Sequence, residues 1–188
     1  MVKKLSLLAL GAAIAVIQAA PAPTPRKSPE LAIQMVDGPQ QLLSSYRGKV
    51  VVLALMYTTC PHCQKTAGVL AQVQKEYAAR GVQILGATFD NGAAFRVQQF
   101  NKMLGLNFPC GYASQGSVLE YLGLQPNEPY FVPVLVFIDK QGTIRSQYIG
   151  DENFLNNQEV NIRAEIDKLL KAPAPVSRST VSKGAGKS

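Results

Sequence analysis

The tetrapeptide Cys60-Pro61-His62-Cys63 follows directly on the apolar run Val50 to Met56 and stands directly before a helical pattern, a junction that narrows the choice of fold. A strand that ends in Cys-x-x-Cys and turns into a helix places the first sulfur at a helix N-terminus. Unpaired amide groups and the helix dipole favour a thiolate there, so the junction points to redox chemistry. A closed zinc site needs four ligands, and beyond this pair the chain offers only Cys110 and a single histidine, His62. A disulfide that closes so short a loop restricts the unfolded chain little, which argues against a purely structural bridge.

The 188 residues, 47% apolar and 16% charged, suffice for one domain with a sizeable core. Both ends differ from the middle. Residues 1–20 read as a signal peptide: Lys3 and Lys4 form a basic start, Leu5 to Ile17 the apolar stretch, and Ala19 and Ala20 the cleavage region. The mature protein is therefore expected to be exported, to the periplasm or another extracytoplasmic space. Left uncleaved, the same stretch would act as an N-terminal membrane anchor, although it is shorter than the roughly 18 to 20 apolar residues of a spanning helix. Residues 21–30 read as a linker and 31–172 as the folded domain. Residues 173–188, rich in Pro, Ser, Gly and Lys and without an apolar period, read as a disordered basic tail.

The net charge of +7 raises the question of nucleic acid, and its location answers it. Of the 19 basic residues, seven (Lys3, Lys4, Arg26, Lys27, Arg178, Lys183 and Lys187) lie outside 29–172, and the 12 that remain match 12 acidic residues, all inside. The core is neutral, and no nucleic-acid partner is expected.

Within the core, Leu31 to Val36 reads as a first strand and Gln40 to Arg47 as a short helix or irregular connection. Lys49 to Met56 is apolar enough after its lysine to be buried on both faces. Pro61 suits the first position of a helix running to about Ala79, with Val69, Leu70, Val73 and Tyr77 as its apolar stripe. Further elements are a strand Val82 to Phe89, a helix Ala93 to Leu104, a short strand Asn107 to Tyr112 and a short helix Ser117 to Leu122. Phe131 to Ile138 reads as a second buried strand. Asp139-Lys140-Gln141-Gly142 turns it into an antiparallel partner, Thr143 to Ile149, and a last helix covers Gln158 to Lys171. This order predicts an α/β domain with a mixed sheet flanked by helices on both faces.

The pattern resembles the thioredoxin-like superfamily, in particular its exported TlpA and ResA branch, whose chains share their general architecture with peroxiredoxins. The resemblance rests on Arg47-Gly48-Lys49-Val50-Val51-Val52, Thr59-Cys60-Pro61-His62-Cys63, Gly81-Val82-Gln83-Ile84-Leu85-Gly86, Leu106-Asn107-Phe108-Pro109, and Val132-Pro133-Val134-Leu135-Val136-Phe137-Ile138-Asp139 with Gly142, spanning about residues 31 to 171. It implies a thioredoxin-like fold with an insertion between the two halves, around Gly105 to Pro109 and Val118 to Gly123. Three positions depart from the branch. Pro61-His62 is the dipeptide of DsbA-type oxidases, Thr59 stands where a Trp is usual, and Ala54 stands where a buried acid often lies beneath the disulfide.

The resemblance implies a thiol-disulfide oxidoreductase acting on protein dithiol or disulfide clients and served by a membrane-bound or soluble redox partner. It is expected to be a monomer without a cofactor or metal, its redox group being the Cys60-Cys63 disulfide. Cys60 would be the attacking sulfur and Cys63, one turn inside the helix, the resolving one. Pro133 resembles the cis-proline that faces the disulfide, with the backbone of Val132 free to pair with an extended substrate. Cys110 reads as a buried apolar residue, a bridge to another chain or a third redox thiol. Two alternatives stay open. A peroxiredoxin-like peroxidase would carry Thr or Ser three residues and Pro seven residues before its reactive Cys, where this chain has Tyr57 and Leu53. A Sco-like copper-binding chaperone would use cysteines separated by three residues and a distant His, where this pair is separated by two and the chain has no second His.

Pro61 and His62 modulate the pair in this reading, His62 by adding positive charge beside the Cys60 thiolate and so favouring the reduced form. Replacing His62 with Ala is expected to lower the reduction potential of the pair by about 20 mV, the equivalent of one solvated charge contact. Equilibration of the variant and the parent in glutathione buffers measures it.

Overall fold

The computed structural model describes residues 22–172. The signal, the alternative anchor, Pro21 and the tail predicted from the sequence lie outside the described residues, among which no helix is long and apolar enough to cross a membrane.

Strand β4, Val50–Met56, is the centre of the molecule, with all seven residues buried. It pairs in parallel with β5, Val82–Thr88, and antiparallel with β7, Val134–Ile138, so that Leu53 lies between Leu85 and Val136. Beyond β7 comes β8, Thr143–Ile149, and beyond β5 the short β6, Cys110–Tyr112. Strand β1, Arg26–Lys27, pairs with the start of β8 and completes a six-stranded sheet in the order β1-β8-β7-β4-β5-β6. A separate small hairpin joins β2, Ala32–Ile33, to β3, Gln41–Leu42, and leads into a 3-10 turn at Leu43–Tyr46.

Alternation along β4 sends successive side chains to opposite faces. Val50, Val52, Ala54 and Met56 meet the apolar stripes of three helices: α1, Pro61–Tyr77, α2, Ala93–Leu104, and α5, Gln158–Lys171. Val51, Leu53 and Leu55 meet Val118 and Leu122 of α3, Gln115–Leu122, together with Leu31, Ile33 and Leu43. Each fully buried Val, Leu or Ile contributes about 1.5–3 kcal/mol. Both faces are thus covered, as the sequence predicts, and the insertion between the halves supplies β6 and α3.

The structure departs from the sequence reading at several places, among them β3 within the segment Gln40 to Arg47 and β6 beginning at Cys110 rather than Asn107. Arg26–Lys27, inside the segment read as a linker, forms a sheet edge, and Arg26 Nη2 donates to the Tyr121 carbonyl and to Gln147 Oε1, each at 3.0 Å. The first predicted strand shrinks to two residues, because past Ile33 the chain turns to the β6 edge, where Gln34 bridges Tyr112. Strand β7 starts at Val134 rather than Phe131, since Pro133 has no N–H for a ladder. A short helix α4, Glu152–Leu155, was not anticipated; Asp151 caps it by accepting the Phe154 N–H at 3.1 Å.

The turn after β7 is held by Asp139, whose Oδ1 accepts the N–H groups of Gln141 and Thr143, both at 2.9 Å, and whose Oδ2 accepts Arg145 Nε at 2.6 Å. On the face beneath α1 and α2, small residues lie in register across three strands, Ala54 beside Gly86 and Gly86 beside Cys110. A Cβ at Gly86 would stand 2.6 Å from Cys110 Sγ and 3.3 Å from Met56 Cε. Gly86→Ala is expected to destabilise the fold by about 1–3 kcal/mol, the usual range for overpacking. Adding Cys110→Ala in the same chain should recover part of the loss, and urea unfolding of the single and double variants measures both.

Candidate active site

The C-terminal ends of β4 and β5, the start of β7 and the N-terminus of α1 meet at one end of the sheet. Cys60 is the N-cap of α1 and Pro61 occupies its first turn, where an absent N–H leaves nothing unsatisfied. Cys60 Sγ accepts the Cys63 N–H at 3.4 Å, so sulfur serves where helices usually place a side-chain oxygen. Cys60 is half-buried and Cys63 has no exposed surface, while Pro61 and His62 are exposed. All three cysteines are free thiols in this structure.

Burial pushes the Cys63 thiol well above its ordinary range. The Tyr57 N–H, donating to Cys63 Sγ at 3.4 Å, pulls the other way, and the neighbouring Cys60 and Asp90 push it further up. Cys63 is therefore held as a thiol. Opposite the pair, the Val132–Pro133 peptide is cis, as expected from the resemblance, and the Val132 carbonyl lies 3.9 Å from Cys60 Sγ. Val132 is half-buried and its neighbour Phe131 is 72% exposed. His62 lines the rim of a cavity of about 320 Å³ with Lys65, Thr66, Glu152 and Leu155.

Ala54 is buried in the same cluster as Cys63, which leaves no acid directly beneath the pair. The carboxylate that borders the site is Asp90, in a turn that the sequence shows only as a strand-to-helix connection. Its Oδ1 accepts the Thr58 N–H at 2.9 Å, and its Oδ2 accepts Thr58 Oγ1 at 2.7 Å and Arg96 Nη2 at 2.5 Å. Arg96 Nε also donates to Thr58 Oγ1 at 3.0 Å, and the Thr58 carbonyl accepts Gln64 Nε2 at 3.0 Å. This cluster fixes the loop that enters Cys60. No local pattern announces it, because its members come from the loops that follow β4 and β5 and from α1 and α2; the one cue is a polar Asp90 just past an apolar strand.

Cys110 lies apart from this cluster, on β6, with 2% of its surface exposed. Burial pushes its thiol up to about 12. Of the roles open to it from sequence, that of a buried apolar residue fits this placement.

Burial alone would raise the Asp90 carboxyl, but the hydrogen bonds from Thr58 and Arg96 outweigh it and hold the group below the ordinary carboxylate range. The folded state thus binds this proton more weakly than the unfolded chain. Asp90 stabilises the fold above the unfolded value, about pH 4, and that contribution is lost as pH falls through the lower folded value. Asp90→Asn is expected to lower stability at pH 7 and to flatten the fall in stability below about pH 4. Urea midpoints taken between neutral and acid pH check both.

Comparison with known proteins agrees with this geometry. The thiol-disulfide oxidoreductase ResA of Geobacillus thermodenitrificans is 28% identical over 123 residues, covering 65% of this chain and 67% of that protein. ResA of Bacillus subtilis is 26% identical over 117 residues, 62% of each chain. Among solved structures, a thiol:disulfide interchange protein of the thioredoxin family from Chlorobium tepidum superposes with a TM-score of 0.66 at 21% identity, covering 79% of this chain and 99% of that one. The thioredoxin-like superfamily protein SPOA0173 does so with a TM-score of 0.62 at 28% identity over the same shares. The fold is thioredoxin-like. The sequence model of the AhpC/TSA family matches residues 25–147, and the chain belongs to that family.

Proposed function

We propose that this protein is an exported thiol-disulfide oxidoreductase that exchanges disulfides with partner proteins through Cys60 and Cys63. One observation carries the reading: a half-buried sulfur caps the N-terminus of α1 while a second, one turn on, is fully buried against the sheet. Similarity to proteins named as thiol-disulfide oxidoreductases supports it. Export rests on the character of residues 1–20.

Cys60, as a thiolate, attacks one sulfur of a client disulfide. The client S–S bond breaks, a mixed disulfide forms, and the departing client sulfur leaves as a thiolate that takes a proton from water. Cys63 then loses its proton to water and attacks Cys60 Sγ. The second client sulfur departs, the Cys60–Cys63 disulfide forms, and two electrons have passed to the client. Run backwards, the same steps oxidise a client dithiol. The direction follows the potential of the pair against that of its partner, where 30 mV is worth about 1.4 kcal/mol. The Val132 main chain offers hydrogen bonds to an extended client segment, and Pro133 holds that chain facing the sulfurs.

The division of labour between the sulfurs is open to direct test. With Cys63→Ser, the first attack proceeds but resolution fails, so mixed disulfides joined through Cys60 are expected to accumulate and to be visible on non-reducing gels. With Cys60→Ser, no mixed disulfide should form. Turnover should fall by more than about a thousandfold in both variants. Mixed disulfides formed through Cys63 or Cys110 in the Cys60→Ser chain would contradict the assignment.

A further inference from the structure

Residues 125–131 connect α3 to the Val132–Pro133 peptide, and among the described residues their hydrogen bonds to the rest of the protein run through one group, the Tyr130 hydroxyl. That hydroxyl lies 2.6 Å from the Tyr57 hydroxyl and accepts Gln115 Nε2 at 2.8 Å. The ring of Phe89 packs edge-on to Tyr57, with centroids 4.7 Å apart, and lies 6.1 Å from that of Tyr130. Both tyrosines are half-buried. Burial, followed by the hydrogen bond to Tyr130, raises the Tyr57 hydroxyl far above its ordinary range.

The contact between the two hydroxyls closes a ring around the thiols. Tyr57 N–H donates to Cys63 Sγ, the Tyr57 hydroxyl meets Tyr130, the chain runs on two residues to Val132, and the Val132 carbonyl lies 3.9 Å from Cys60 Sγ. One pair of hydroxyls therefore joins the segment that leads from β4 to the thiols of α1 to the loop that would carry the client. With Tyr130 drawn inward, its neighbour Phe131 is left 72% exposed.

We infer that Tyr57 and Tyr130 are positioning residues that confer preference for polypeptide disulfides over small ones, by holding the Val132 main chain where an extended client must pair with it. The inference rests on the exchange reading above. A polypeptide uses the Val132 strand as well as Cys60, whereas a small disulfide needs Cys60 alone, so loosening the loop penalises the first and spares the second.

The test compares reduced wild-type protein with Tyr57→Phe and Tyr130→Phe, which keep the rings and lose the hydroxyls. Two probes are used: oxidised glutathione, and a cysteine-containing decapeptide in mixed disulfide with glutathione. In both cases two electrons pass from the Cys60–Cys63 dithiol and two thiols are released. Each variant is expected to react about fivefold more slowly with the peptide, the loss of roughly one net hydrogen bond. Its rate with oxidised glutathione and its reduction potential should stay close to wild type, and its urea midpoint should fall by no more than the loss of one hydrogen bond accounts for. Equal slowing with both probes, or no slowing with the peptide, overturns the inference while leaving the exchange reading in place. A wild-type protein inert to both probes overturns the exchange reading and this inference with it.

Discussion

The first turn of α1 is capped by sulfur. A helix start leaves amide hydrogens without intrahelical acceptors, and here one of them, the Cys63 N–H, points at Cys60 Sγ. Several features at this end of the molecule hold that contact in place. The doubly buried β4 fixes where the chain emerges, Asp90 holds Thr58, and Pro61 starts the helix without adding another unsatisfied donor. A thiolate accepts such a hydrogen bond more strongly than a thiol, and a disulfide sulfur more weakly, so the oxidation state of Cys60 and the helix terminus are physically linked.

The two sulfurs differ because they stand on different sides of a surface boundary. Cys60 ends the loop that leaves the sheet and keeps contact with solvent, whereas Cys63 packs with Ala54 and Ala67 in the core cluster. Desolvation then makes Cys63 the reluctant thiolate. The small side chains in register below, Ala54 and Gly86, belong to the same arrangement, since a bulkier row would crowd the site where the helix begins.

What could be read from the sequence is what is local. The run Val50 to Met56, the helix after Pro61, the helix Ala93–Leu104, the Asp139 to Gly142 turn and the last helix each carry their own periodicity or punctuation, and the structure places them where these predict. Arg26–Lys27 has no strand-like pattern; it becomes a strand because the edge of β8 accepts it and Tyr121 and Gln147 hold Arg26. The apolar stretch Phe131 to Ile138 conceals a break at Pro133 that hydrophobicity does not register. The pair Cys60 and Cys63 was visible as a motif, but the Asp90 cluster and the Tyr57–Tyr130 contact join residues far apart in the chain. Only the parallel pairing of β4 with β5 and the return of β7 beside β4 bring them together.

The burial of Cys110 bears on the hazards of handling disulfides. A protein whose surface carried an odd number of reactive sulfurs would risk staying covalently attached to whatever it touched. With the β6 sulfur withdrawn beneath α2 and only 2% exposed, the exchange proposed above is left to a couple in which every bond made outward has an internal competitor one helical turn away. Release from the partner is then built into the even parity of the sulfurs that can react.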